Sequence, residues 1–226
     1  MPDLLALLLT PFLAACLFVG IHTWLGLQVL RRKVVFADLA LAQLSAPGDL
    51  AGFGYALALT LVGAGLLTAT RRVSAQVGQE AVIGILYVAA TAVTILVVDG
   101  STQGAEHVKR MLVGDILAVN AADLMKLALL YGAVGAAHAL CRRPLLAAAQ
   151  DGTPALGRTP AALWDFVFYA TFGLVVTSSV ALAGVLLVFS FLIIPAVIGS
   201  LFSPRIGVAL AVGWSAGIAA SLLAGC

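Results

Sequence analysis

Apolar runs of roughly 20 residues recur from one end of this chain to the other, and that repetition limits the fold more than any single motif does. In hydrocarbon every backbone N–H and C=O must be satisfied within the protein, which leaves α-helices and closed β-barrels as spanning structures. The runs are continuous rather than alternating with a period of two, so a barrel is excluded and a helical bundle is expected. Composition agrees: 62% of the 226 residues are hydrophobic and only 10% are charged, whereas roughly a quarter of a soluble domain is charged. The chain therefore reads as an all-α integral membrane protein, a single transmembrane domain over 1–226. Its net charge of +2 offers no electrostatic footprint for a nucleic-acid partner.

Spans are expected at 4–24, 50–70, 80–98, 121–141, 164–181, 183–202 and 205–226. Several edges carry identifiable caps. Asn120 and Asp123 have capping-box spacing, Thr159-Pro160 and Ser203-Pro204 each place a side-chain oxygen before a proline, and Asp49 precedes the 50–70 helix. Pro195 removes a backbone hydrogen bond inside the sixth run and predicts a kink there. Cys16, Cys141 and Cys226 are far apart and form no C-x-x-C pair, so they are read as packing residues. The opening MPDLLALLLTPFLAACLFVG lacks a basic flank and is read as a permanent span, not a cleaved signal.

The stretch 34–48, VVFADLALAQLSAPG, carries Asp38, Gln43 and Ser45 in an otherwise oily chain. Charge decides where it belongs. If it enters the membrane as a short helix, then Arg31, Arg32, Lys33, Arg71, Arg72, Arg142, Arg143, Arg158 and Arg205, nine of the twelve basic residues, face the cytoplasm as the positive-inside rule requires. If it stays outside as a loop, Arg71 and Arg72 move to the opposite face and the bias weakens. The expected topology thus has about eight membrane helices with both termini outside. Fifteen residues rise only about 22 Å against a core of roughly 30 Å, so the stretch needs protein neighbours. Asp38 and Ser45 share one helical face, which suits either a solute path or a seam for close helix packing.

The polar segment 142–164, RRPLLAAAQDGTPALGRTPAALW, falls on the cytoplasmic side, with Gly152 and Gly157 bracketing a short TPAL turn. It reads as short helical pieces. Such a loop suits docking to a soluble partner, and it equally suits an ordinary connector trimmed with arginine.

Four collinear stretches carry a resemblance: GIHTWLGLQVLRRKVVFADLALAQLSAPG (20–48), EAVIGILYVAATAV (80–93), HVKRMLVGDILAV (107–119) and GVLLVFSFLIIPAVIGSLFSP (184–204). Together they resemble the permease subunit of ABC-type metal-ion importers, which take up zinc, manganese or iron. The resemblance implies a multi-pass homodimer in the bacterial cytoplasmic membrane, with a divalent metal ion as cargo and no cofactor held by this chain. It also implies an ATP-binding cassette subunit on the cytoplasmic face and an extracytoplasmic metal-binding protein that delivers the ion. No G-x-x-x-x-G-K-[ST] loop occurs in the sequence, so ATP hydrolysis is assigned to a separate chain and this chain is not itself an enzyme. The 142–163 segment matches the family's cytoplasmic coupling loop, with Asp151, Ala155, Leu156, Gly157 and Arg158 at the expected contact with the ATPase.

The family's metal-path motif resembles G-D-A-L-S-H-x-x-L-P-G, with Asp and His one helical turn apart. Anchored on Pro47-Gly48, the histidine position falls on Gln43 and the aspartate position on Leu39. Asp38 is displaced by one residue, or about 100° around the helix. Asp38 and Gln43 are therefore the expected metal-path residues, and the departure from Asp and His leaves the cargo open among divalent ions. His22 and His138 are read as helix-end polar contacts, His107 with Glu106 as a solvated pair, Glu80 as a helix-start carboxylate, and Asp115 as a cap or a partner of Lys109 or Arg110. The chain ends within an apolar run, SLLAGC, where family members often continue into another helix. Two alternatives stand beside the importer: a non-conducting membrane scaffold that binds an ATPase, and an ATP-independent secondary carrier.

Overall fold

A computed structural model describes residues 2–32, 50–69, 79–99, 109, 112–149 and 161–224. Seven α-helices are described: α1 (Pro2–Arg32), α2 (Leu50–Ala69), α3 (Gln79–Asp99), α4 (Ala121–Leu140), α5 (Arg142–Ala148), α6 (Ala161–Phe202) and α7 (Ile206–Ala224). One 3₁₀ turn, Ile116–Ala118, precedes α4. Three helical segments, Leu9–Arg32, Ala161–Phe202 and Ile206–Leu223, are long and apolar enough to cross a membrane. A fourth candidate is α4 taken with α5, bent by 78° at Cys141, and shorter apolar stretches lie at Thr60–Ala69 and Ala81–Ala92. The expected membrane helix at 34–48 lies outside the described residues.

The 42 residues of α6 would run to about 63 Å if straight, twice the thickness of a hydrocarbon core. The contacts show that they fold back. Asp165, near the start of α6, meets Arg32 at the end of α1, and Ser179 meets His22 ten residues earlier in α1. Beyond the break the direction reverses: Leu192 lies against Gly26, and the Pro204 carbonyl just past α6 accepts from Arg31. Both ends of α6 therefore sit at the Arg32 end of α1. The reversal falls at Gly184, whose φ of 74° and ψ of 160° lie outside helical values in a left-handed region that only glycine enters without strain. This separates the expected spans 164–181 and 183–202. Pro195 lies within the second arm of α6, where the backbone keeps helical dihedral values. Pro195 is buried, and a Cβ added at Gly213 of α7 would lie 2.6 Å from its carbonyl oxygen, so α7 packs closely against the second arm of α6 there.

The core gathers α1, α4 and both arms of α6 around Phe18, Leu25, Tyr131, Phe168, Phe172 and Leu192, all essentially buried. Glycine sets the closest crossings. A Cβ at Gly26 would collide with the Leu192 carbonyl, and one at Gly199 with the Ala209 carbonyl, so α1 and α7 approach the second arm of α6 backbone to backbone. The outward faces of α4 and α7 carry exposed Met125, Leu129, Leu140, Ile218 and Leu223, the apolar surface a lipid-facing helix presents.

Of the expected caps, those at Asn120 and Ser203 can be placed, while Asp49 and Thr159-Pro160 lie outside the described residues. The Asn120 carbonyl oxygen accepts from the Asp123 backbone N–H at 3.0 Å, and the Asn120 amide donates to the Asp123 carboxylate at 2.7 Å. Ser203 accepts from the Arg205 backbone N–H at 3.1 Å, but helix α7 begins at Ile206, later than Pro204. α1 runs on through Arg32 rather than ending near residue 24, because nothing between Gly20 and Arg32 breaks a helix and its last turn is anchored. His22 is therefore well inside a helix. Cys16 and Cys141 are free thiols.

Candidate functional site

Buried polar joints link the described helices, and one of them carries full charge. The first binds α1, α4 and the first arm of α6. The Tyr131 hydroxyl lies 2.7 Å from the Ser179 hydroxyl, which lies 3.1 Å from His22 Nε2, while His22 Nδ1 lies 3.0 Å from the Phe18 carbonyl. A carbonyl only accepts, so Nδ1 carries the proton and Nε2 must accept. Ser179 then donates to His22 and accepts from Tyr131, giving a directed chain of three donors across three helices. The Val175 carbonyl, 2.6 Å from Ser179 Oγ, competes for the same proton.

The second joint centres on His138 of α4. The Trp24 indole donates to His138 Nδ1 at 3.1 Å, and the Gln28 amide nitrogen lies 3.3 Å from the same atom. An indole N–H can only donate, so Nδ1 is the acceptor and Nε2 carries the proton, which it gives to Thr171 at 2.8 Å. Thr171 passes its own proton to the Val167 carbonyl at 2.7 Å. Both ring nitrogens are thereby committed to neighbouring helices. His138 is a polar contact in the last turn of α4, as expected, whereas His22 lies well inside α1. A Thr60–Thr177 hydroxyl pair at 3.1 Å links α2 to α6 in the same neutral manner.

The third joint lies at the end of the bundle where α1 stops. Arg32 Nη1 donates to the Asp165 carboxylate of α6, with the two side chains 3% and 7% exposed. Arg32 Nη2 donates to the Leu145 carbonyl of α5 at 3.1 Å. The guanidinium plane lies over the Phe168 ring at 4.2 Å. One side chain thus joins α1, α5 and α6 through a hydrogen-bonded fork and a ring face, a geometry that lysine cannot reproduce. Next to it, Arg31 Nη2 donates to the Pro204 carbonyl at 3.1 Å and anchors the α6–α7 turn. The exposed Arg142 and Arg143 of α5 and Arg205 belong to the same end, which gathers five arginines.

The opposite end contains no such charge cluster among the described residues. There the 112–115 segment crosses the α6 reversal, with the Asp115 N–H donating to the Leu182 carbonyl at 3.1 Å. Gly114, at φ 61°, faces Ala183 and Gly184 so closely that an added Cβ would overlap their backbone. Asp115 is exposed, makes no side-chain cap and forms no ion pair with Lys109.

Asp38, Gln43, Asp151, Ala155, Leu156, Gly157 and Arg158 lie outside the described residues, as do Glu106 and His107. The first part of the 142–163 segment is α5, whose buried Leu145 and Ala148 face the bundle. No group of three metal-ligating side chains occurs among the described residues. Sequence reasoning missed the Arg32–Asp165 pair: Arg32 was read only as part of a basic flank and Asp165 not at all. The available signal was a lone carboxylate at the second position of the expected 164–181 span, which needs a cation within reach.

The fold and the sequence lead to one assignment. The backbone is similar to a chain of PsaBC from Streptococcus pneumoniae in complex with Fab, with a TM-score of 0.74 and 19% identity, covering 96% of this chain and 80% of that one. No curated protein matches the sequence. The family model described as ABC 3 transport family matches residues 5–226, so this chain is a multi-pass membrane protein that belongs to the ABC 3 family of metal-ion transport permeases.

Proposed function

We propose that this chain is the membrane-spanning permease subunit of an ATP-driven importer for a divalent metal ion, zinc, manganese or iron, in the bacterial cytoplasmic membrane. The observation that carries the reading is the family match over nearly the whole chain. The arginine-rich end of the bundle is the cytoplasmic end, by the positive-inside rule. There the segment 142–163, with Asp151, Ala155, Leu156, Gly157 and Arg158, docks a separate ATP-binding cassette subunit. Two copies of the chain enclose the path, eight membrane helices each, with Asp38 and Gln43 of the 34–48 helix lining it. A metal-binding protein delivers the ion from the other face. Carboxylate and amide oxygens suit a hard divalent ion better than a zinc site built on imidazole.

The test is uptake into vesicles holding this chain with a cognate ATP-binding subunit and a cognate metal-binding delivery protein. Uptake of zinc, manganese or ferrous iron that needs both ATP and the delivery protein is expected, and Asp38→Asn and Gln43→Ala should lower it without reducing the assembled complex. Uptake of none of the three ions would point to a scaffold, and uptake that persists without ATP to a secondary carrier; either result removes the importer reading.

A further inference from the structure

We propose that Arg32 is the positioning residue that couples the ATPase-docking segment to the transport path; the inference rests on the importer reading above. Leu145 on α5, inside the docking segment, and Asp165 on α6, just past it, are twenty positions apart, and a single guanidinium holds both. α5 lies across the end of the bundle at 78° to α4, with Arg142 and Arg143 exposed and Leu145 buried. A push on the docking segment therefore reaches the bundle through two anchors that converge on one side chain.

That side chain is the last residue described in α1, and the chain leads from it directly into 34–48, which bears Asp38 and Gln43. The neighbouring Arg31 holds the α6–α7 turn through Pro204. The terminal turn of α1 is thus tied to α5, to both ends of α6 and to the start of α7. In a bundle whose other buried joints among the described residues are neutral hydroxyl, imidazole, indole and amide contacts, the buried charged fork is the connection with the steepest dependence on geometry: a shift of about 1 Å in α5 or α6 weakens either arm. Arginine is required because its planar fork serves the carboxylate and the carbonyl together while stacking on Phe168.

The experiment uses the complete complex in vesicles and measures metal uptake per ATP hydrolysed, together with the stimulation of hydrolysis by the metal-loaded delivery protein. The wild-type complex is measured first; if it shows no ATP-dependent uptake of zinc, manganese or ferrous iron, the importer reading fails and the inference falls with it. With that uptake in hand, Arg32→Lys, which keeps the charge but loses the fork, is expected to lower uptake per ATP about tenfold and to abolish stimulation. Asp165→Asn should behave alike while leaving Arg32 and its Leu145 bond in place, so it serves if the lysine variant assembles poorly. Values are taken per assembled complex, so a loss of folded protein does not register as uncoupling. Unchanged uptake per ATP and normal stimulation in both variants would overturn the proposal and leave Arg32 a purely structural tie.

Discussion

The two ends of this bundle are fastened in opposite ways. At the arginine end, long side chains from α1 reach α5, α6 and the α6–α7 turn through hydrogen bonds. At the other end, Gly114 and Gly184 bring two chain segments into direct backbone contact, both in left-handed conformations, with no side chain between them. A tether of rotatable bonds can lengthen, exchange partners or release. A glycine crossing has one arrangement, because neither partner has an atom to move. The difference teaches where this fold can accommodate motion: the arginine end is built to be re-set, and the Gly114–Gly184 end is built to stay.

Substitution at the rigid end should have the largest effect. Gly114→Val places a branched side chain against the Ala183 and Gly184 backbone at a φ that such residues avoid. Strain and overpacking together predict a loss of about 4 to 5 kcal/mol, read as failure to recover folded protein in detergent or a greatly lowered melting temperature. A tolerant Gly114→Val would show that the rigid end is loose after all. At the arginine end, Arg32→Gln should destabilise by about 3 to 5 kcal/mol, since it strands the buried Asp165 carboxylate. The double variant Arg32→Gln with Asp165→Asn should recover part of that loss, because no charge is then left unpaired. Additive losses in a thermal-melt cycle would mean that the two groups do not act as a pair. Smallest of the three is His138→Leu, which removes the acceptor of the Trp24 indole and the donor to Thr171. An effect of about 1 to 2 kcal/mol is expected, in line with hydrogen bonds between membrane helices, with a shift in Trp24 fluorescence as its specific signature.

Much of the fold is legible in the sequence because the membrane writes it in long apolar runs. The second, third and fourth long runs give α2, α3 and α4 to within two residues at either end, and Asn120 makes the cap its spacing announces. The reversal in α6 is legible as the gap between two runs, and Gly184 makes it. What stays hidden depends on contacts between distant positions. Arg32 and Asp165 are 133 residues apart, and nothing local tells a basic flank from half of a buried pair. His22 reads as a helix-end residue because the true length of α1 appears only once the helices are packed, and the partners of both histidines, Ser179, Trp24 and Thr171, are likewise hidden in the sequence. Gly114 is inconspicuous for a related reason, since its demand for a left-handed conformation is set by the segment it crosses. The expected path residues Asp38 and Gln43 and the docking residues 151–158 rest on resemblance alone.

The central claim is that the arginine end faces the cytoplasm and the glycine end faces outward. Labelling with a membrane-impermeant maleimide tests it directly, in a chain whose three cysteines are replaced by serine. Arg143→Cys on α5 and Ala122→Cys at the start of α4 are both exposed and lie at opposite ends of the bundle. The account predicts that Ala122→Cys reacts in right-side-out vesicles and Arg143→Cys only in inverted ones. Reaction of both from the same side, or of Arg143→Cys from outside, would contradict it.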